Sequence, residues 1–248
     1  MRRIHRTHFL LLIATMATLA GCAVEAKQVA FQAEGPPEQS ILCEDAKQVT
    51  LAIAPIIDQR PVVEKEGETA KGMYLLVYNQ RSGRYVSADK DFKGDIHKAM
   101  TSTIARYIEK SNCFGDVKIL EKPLNAQLGQ EDLTLLLAKQ NVDYVLIPEL
   151  KHFFGEQSQN ANLLIVPAHF VNAVGWNNEI GKAIGYTEML ATLYDTQVGH
   201  EVWREKILGN GQSVEEGAYP EVARDSFIVA TKDLTHKLFN FANRHLNS

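Results

Sequence analysis

The sequence has 248 residues, 45% of them hydrophobic and 23% charged, with a formal net charge of −4. That composition excludes a chain disordered throughout, a collagenous repeat and a small disulfide-stapled scaffold, and the length allows one good core or two small ones. The acidic balance also excludes a broad nucleic-acid surface, which carries a basic excess, so no nucleic-acid partner is expected.

Residues 1–21 stand apart. Arg2, Arg3 and Arg6 form a basic head, and a largely apolar run from Phe9 to Ala20 follows. The run is too short for a bilayer, which needs roughly 20 apolar residues, but it suits the hydrophobic segment of an export signal. It ends in Leu19-Ala20-Gly21-Cys22, which resembles the lipobox of bacterial lipoproteins. Small Ala20 and Gly21 open the backbone to a peptidase, and the Cys22 thiolate is the nucleophile that accepts a lipid. The resemblance implies cleavage between Gly21 and Cys22, a diacylglycerol thioether and an acylated new N-terminus that palmitate would label. At about 0.8 kcal/mol per buried methylene, several acyl chains anchor a protein permanently. Ala23 stands where inner-membrane lipoproteins of the enteric kind usually show Asp, so the expected place is the outer membrane, facing the periplasm. The alternative is an ordinary secretory signal with a chance cysteine.

Three of the 26 basic residues lie in this segment and none of the 30 acidic ones, which leaves 23 against 30, a net of −7. Lipid rather than charge is therefore expected to hold the mature domain at the membrane. Residues 22–48, with Pro36-Pro37 and little apolar periodicity, read as a flexible tether.

From Val49 to Ile57 a near-continuous apolar run predicts a strand covered on both faces, ended by Asp58-Gln59-Arg60-Pro61. Residues 59–92 read as an insertion with its own hairpin, Met73–Tyr78 pairing with Arg84–Ser87. A helix is predicted from Gly94 to Ser111, with Ile96, Met100, Thr103, Ile104, Tyr107 and Ile108 on one stripe. A short strand, Val117–Leu120, precedes a second helix, Gln130–Gln140, and a third strand, Val142–Phe153. After an excursion over 154–185 come alternating strands at Tyr186–Tyr194 and Glu201–Leu208, joined by the turn Asp195–Gly199. A long helix, Tyr219–Leu246, lines up Ala223, Phe227, Ala230, Leu234, Leu238 and Phe241. The order β-α-β-α-β-β-β-α predicts one α/β (α+β) domain over 49–248, a mixed sheet with helices packed on it and a hairpin insertion.

Two cysteines remain beyond Cys22. Cys43 precedes the first strand and Cys113 follows the first helix, places that fall at the same end of the sheet in a βαβ unit. Export makes a Cys43–Cys113 disulfide the favoured expectation, with two buried thiols as the alternative.

Three local patterns, Leu51–Asp58, Asn141–Pro148 and Asp195–Trp203, together with the element order, resemble a group of envelope lipoproteins. The group includes the penicillin-binding-protein activator lipoproteins, the curli-secretion lipoprotein domain, the ABC-transport auxiliary lipoproteins and the N-terminal domain of TolB. Val198 departs from the usual Thr of the "D-x-x-T-G-x-x-x-W" turn. The resemblance implies an accessory or assembly role through protein binding and no enzymatic activity in this domain.

The chemistry-bearing residues agree with that expectation. Neither a Gly-x-Ser-x-Gly elbow nor a His-Glu-x-x-His motif is present. Gly175 to Gly181-Lys182 has one residue too many for a phosphate loop, and Ala183 replaces the Ser or Thr that would hold magnesium. Glu149 and His152 lie three apart on a strand and face opposite ways. His169 and His200 are isolated, and His236 and His245 point apart on the last helix. No metal or other cofactor is expected. Asp58 and Arg60 follow the first strand, where α/β sheets place ligand contacts, and are candidate contacts. The alternative is that Asp58 caps a turn and Arg60 is solvated. Leu163–Trp176, with Phe170 and Trp176, is too apolar for an ordinary loop and reads either as core or as a partner-binding patch. The expected partners are the membrane, through Cys22, and an envelope protein. A carrier or sensor of a lipid or glycan fragment and a periplasmic hydrolase are the alternatives.

Overall fold

Side-chain alternation along the strands decides which side of the sheet each helix covers. The structure, a computed structural model, describes residues 28–31, 47–66, 83–122, 124, 141–159, 182–215 and 217–245. Its strands are β1 (Val29–Ala30), β2 (Lys47–Ile53), β3 (Ile57–Asp58), β4 (Gly83–Val86), β5 (Phe92–Lys93), β6 (Phe114–Ile119), β7 (Tyr144–Gln159), β8 (Ala183–Asp195) and β9 (Glu201–Ser213). Its helices are α1 (Val62–Glu66), α2 (Ile96–Lys110) and α3 (Tyr219–His245), with a 3-10 turn at Asp89–Asp91.

The main sheet runs β6-β2-β7-β8-β9. β2 is parallel to β6 and β7, whereas β7, β8 and β9 are antiparallel neighbours. It is a mixed sheet with helices packed against it, the fold class the element order predicts. Leu51 and Ile53 face one side with Leu146, Leu150, Met189 and Leu193, under the apolar stripes of α2 and α3. Ala52 and Ala54 face the other, with Leu120, Leu124, Val142, Val145 and Ile147. Every residue predicted for the stripes of α2 and α3 is buried.

The apolar run predicted as one strand is two. Pro55 lacks an N–H for the ladder, and beyond it the Ile56 N–H leaves the sheet and donates to Thr101 Oγ1 at 3.1 Å. β3 then resumes pairing with β7 at Ile57 and Asp58. One edge of β7 thus meets β2, β3 and β4 in turn, while its other edge meets β8.

Several boundaries differ from the sequence reading, three of them by placing segments in new surroundings. Val29 and Phe31, assigned to the tether, are buried in the main core. β1 pairs in parallel with β5, and the Phe31 ring packs against Phe92, Phe153 and Phe227 at centroid distances of 5.8, 6.0 and 5.3 Å. β4, read as half of a hairpin within the insertion, pairs antiparallel with β7; Met73–Tyr78 lies outside the described residues. The excursion assigned to 154–185 is strand at both ends, because β7 runs through Gln159 and β8 begins at Ala183.

The reason for the third difference is a row of glycines. Gly155, Gly185 and Gly211 stand in direct register across β7, β8 and β9. A Cβ on Gly155 would lie 1.6 Å from the Tyr219 carbonyl oxygen, and one on Gly185 1.9 Å from that of Val222. The start of α3 rests on bare backbone there. Glycine weakens the sequence signal for a strand, yet here it lets a helix approach the sheet. The predicted helix 130–140 and the segment Leu163–Trp176 lie outside the described residues.

Candidate functional site

The end of the first strand gathers charge from four parts of the chain. Asp58 ends β3, Arg60 follows it, Asp89 opens the 3-10 turn and His97 lies in the first turn of α2. Arg60 donates from Nε to Asp58 Oδ1 and from Nη2 to Asp58 Oδ2, both at 2.9 Å. The same guanidinium meets Asp89, with Nη1 3.0 Å from Oδ1 and Nη2 3.2 Å from Oδ2. His97 Nε2 stands 2.9 Å from Asp58 Oδ2, and Lys65 Nζ 3.3 Å from the same oxygen. The Arg60 backbone N–H donates to Asp58 Oδ1 at 3.0 Å, an Asx turn that aims the arginine inward. Below it the guanidinium stacks over the Phe153 ring, 5.6 Å from the centroid.

Arg60 is therefore not the solvated residue of the turn-cap alternative, although Asp58 does cap the turn. Its side chain is 0% exposed and that of Asp58 15%, so Arg60 is the centre of an interior charge network. Burial favours the protonated form of Asp58, but hydrogen bonds from His97 and Arg60 outweigh it and hold the carboxyl well below the usual carboxylate range. Burial disfavours charge on Arg60 too, and the two carboxylates outweigh it, raising the guanidinium further. An ionised, doubly gripped Asp58 is a poor general base. Asp58, Asp89 and His97 bring ligand atoms within 4.8 Å of one another, a grouping the sequence reading did not anticipate. Arg60 already stands between the two carboxylates as the cation.

A second arm lies alongside. β7 bulges between Leu150 and His152. Buried Glu64 on α1 accepts the Phe153 N–H at 2.9 Å and pairs with His152 Nδ1 at 2.7 Å. Glu149 pairs with Lys151 at 2.6 Å instead. The bulge removes the strict alternation that would have set Glu149 and His152 on opposite faces, yet each takes its own partner.

His97 joins this network to the surface. It lines a cleft of about 600 Å³ at the start of α2, with Pro55, Thr101, Ser102, Ile119 and Leu120 among the walls. Asp95 caps α2 by accepting the Lys98 N–H at 3.0 Å. The cleft sits beyond the carboxyl ends of the parallel strands β2 and β6, where open α/β sheets place ligands.

Sequence reasoning singled out Asp58 and Arg60 but missed His97, Asp89, Glu64 and Lys65. His97 was accessible through its position, in the first turn of the helix that follows the first strand. Asp89 and Glu64 lie in a segment without periodicity, and nothing local marks them. Gly21, Cys22, Cys43, Phe170 and Trp176 lie outside the described residues. Cys113 is buried where α2 hands over to β6, and its sulfur lies 3.5 Å from the Ser111 carbonyl oxygen. Among the described residues no helix is long and apolar enough to cross a membrane.

No protein-family model matches the sequence, and no curated protein matches it. Several solved structures are similar. Protein XCC0632 from Xanthomonas campestris, of family DUF330, shares 12% identity over 89% of this chain and 99% of that one, with a TM-score of 0.46. The PelC dodecamer of Paraburkholderia phytofirmans shares 13% over 80% and 93%, with a TM-score of 0.36. Lipoprotein GNA1162 from Neisseria meningitidis shares 13% over 81% and 99%, with a TM-score of 0.30. Likenesses at this level carry no inference about what this chain does.

Proposed function

We propose that this chain is a lipid-anchored accessory or assembly lipoprotein of the bacterial outer membrane, faces the periplasm, and acts by binding an envelope protein. The lipobox resemblance at Cys22 carries the anchoring, and the place of Val29 and Phe31 in the core, seven and nine positions after it, makes the tether short. A lipid on Cys22 would hold the whole domain at the membrane surface rather than at the end of a long arm. A non-enzymatic role is supported by how the gathered charges are spent, since Asp58 is kept ionised and Arg60 is sealed between two carboxylates. The pattern resemblance to the ABC-transport auxiliary lipoproteins and the TolB N-terminal domain points the same way.

Two experiments test the halves separately. Palmitate should label the wild-type chain and not Cys22→Ala; equal labelling overturns the anchor. A photoreactive residue at Phe170 or Trp176, crosslinked in the native envelope, should capture one discrete protein; lipid alone, or nothing, overturns the protein-binding role.

A carrier of a small ligand is the second reading, favoured by the cleft beside His97, whose walls mix apolar Pro55, Ile119 and Leu120 with the hydroxyls of Thr101 and Ser102. Native mass spectrometry of protein taken from the envelope would show a retained lipid or glycan mass if this reading holds.

A further inference from the structure

The chain from Cys22 onward is acidic overall, yet one groove among the described residues is lined mainly by basic side chains. A groove of about 720 Å³ runs between the end of β5 and one face of α2, and β1 forms part of its wall. Lys98, Ser102 and Arg106 follow one another at four-residue spacing along that face, and Lys93 stands opposite, at the end of β5. Lys93 and Lys98 are exposed and enter no ion pair among the described residues. The one acidic residue in the wall, Asp95, is occupied as the cap of α2.

The groove lies where the chain arrives from its anchor. Ala30 and Phe31 line it, and Gln28, two residues earlier, donates to the Lys90 carbonyl at 3.0 Å. From Cys22 to Gln28 the chain takes six steps, which reach about 20 Å at full extension. A lipid on Cys22 thus keeps this end of the domain close to the headgroups, within a few screening lengths of about 8–10 Å. A domain of net negative charge with a basic groove beside its tether is turned by an anionic surface, because the net charge is repelled and the groove is attracted.

We propose that the groove beside Lys93 and Lys98 faces the membrane and docks through these two lysines on the phosphates of anionic lipid headgroups, fixing the orientation of the domain. The inference rests on the anchoring of Cys22 proposed above and adds to it a docking surface and its ligand.

The test uses the lipidated full chain reconstituted into vesicles of phosphatidylcholine alone or of phosphatidylcholine mixed with phosphatidylglycerol, followed by hydrogen exchange. Residues 93–106 should exchange several-fold more slowly on the mixed vesicles, and the difference should vanish at high salt and in Lys93→Glu/Lys98→Glu. Both lysines are exposed, so that variant should keep the fold, and an unchanged melting temperature would verify it. Protein that floats with both vesicles but exchanges alike on them overturns the docking alone. Equal slowing by inorganic phosphate without vesicles overturns the lipid as ligand. Protein that fails to float overturns the anchor and the docking together.

Discussion

Arg60 holds Asp58 through two parallel hydrogen bonds, Nε to Oδ1 and Nη2 to Oδ2, each 2.9 Å long and closed off from solvent on the arginine side. The pair is two residues apart in sequence, but its third and fourth members, Asp89 and His97, come from 29 and 37 residues beyond Arg60. The network therefore ties β3, the 3-10 turn and the first turn of α2 into one unit. Such a bidentate pair depends on the planar fork of arginine.

Removing the cation should unfold that unit first. Arg60→Leu leaves Asp89 without its cation and Asp58 with only Lys65 and His97 beside it, and breaking a buried pair from one side costs up to about 3–5 kcal/mol. Arg60→Lys should recover only part of this, because a single ammonium cannot bridge both carboxylates. Chemical denaturation of the two variants measures the order; equal stability of Arg60→Leu and the wild type would show that the network contributes nothing.

Acid should weaken the same place. The folded carboxyl of Asp58 lies below its unfolded value of about 3.9, so the stability it adds is fully present above that value. It is lost as the pH falls below about 4 towards the folded pKa. Asp58→Asn should start less stable at neutral pH and lose stability less steeply on acidification. Parallel acid limbs for variant and wild type would contradict the linkage.

Glycine at position 185 should tolerate no side chain. Gly185→Ala places a methyl 1.9 Å from the Val222 carbonyl oxygen, on backbone that cannot rotate away. Either α3 lifts or β8 bends, and overpacking of this kind costs about 1–3 kcal/mol. Thermal unfolding should show the loss, and the near-ultraviolet signal of Tyr219 and the nearby aromatic residues should shift.

The thiols should be countable. A Cys43–Cys113 disulfide leaves no alkylatable cysteine in the denatured, lipidated chain before reduction and two after it. Cys43→Ser should then destabilise by about 2–4 kcal/mol. Two alkylatable cysteines without reduction would sink the pairing.

The elements that were legible in the sequence are those whose pattern repeats. Ile96, Met100, Ile104 and Ile108 announce α2, Phe227, Leu234, Leu238 and Phe241 announce α3, and Met189, Ala191 and Leu193 announce the buried face of β8; all are in the core. The turn at Asp195 was legible because its side chain accepts the N–H groups of Gln197 and Val198, and Gly199 takes φ of 69°. β1 and β5 were not, because two residues carry no period. The far ends of β8 and β9 were hidden by the very glycines, Gly185, Gly209 and Gly211, that let α3 lie against them.

The net charge of −4, the arginines of residues 1–21 and the apolar stripes belong to the sequence, because composition and short-range periodicity need no partner to be read. They determined the fold class, and on them rests the proposal of an export signal and a lipobox at Cys22. The tertiary structure decided what lies far apart in the chain and meets only on folding. It turned Arg60 from a surface residue into the centre of a buried network, because Asp89 and His97 close over it. It also drew Val29 and Phe31 out of the tether and into the core, because Phe92, Phe153 and Phe227 leave a place that an aromatic ring fills.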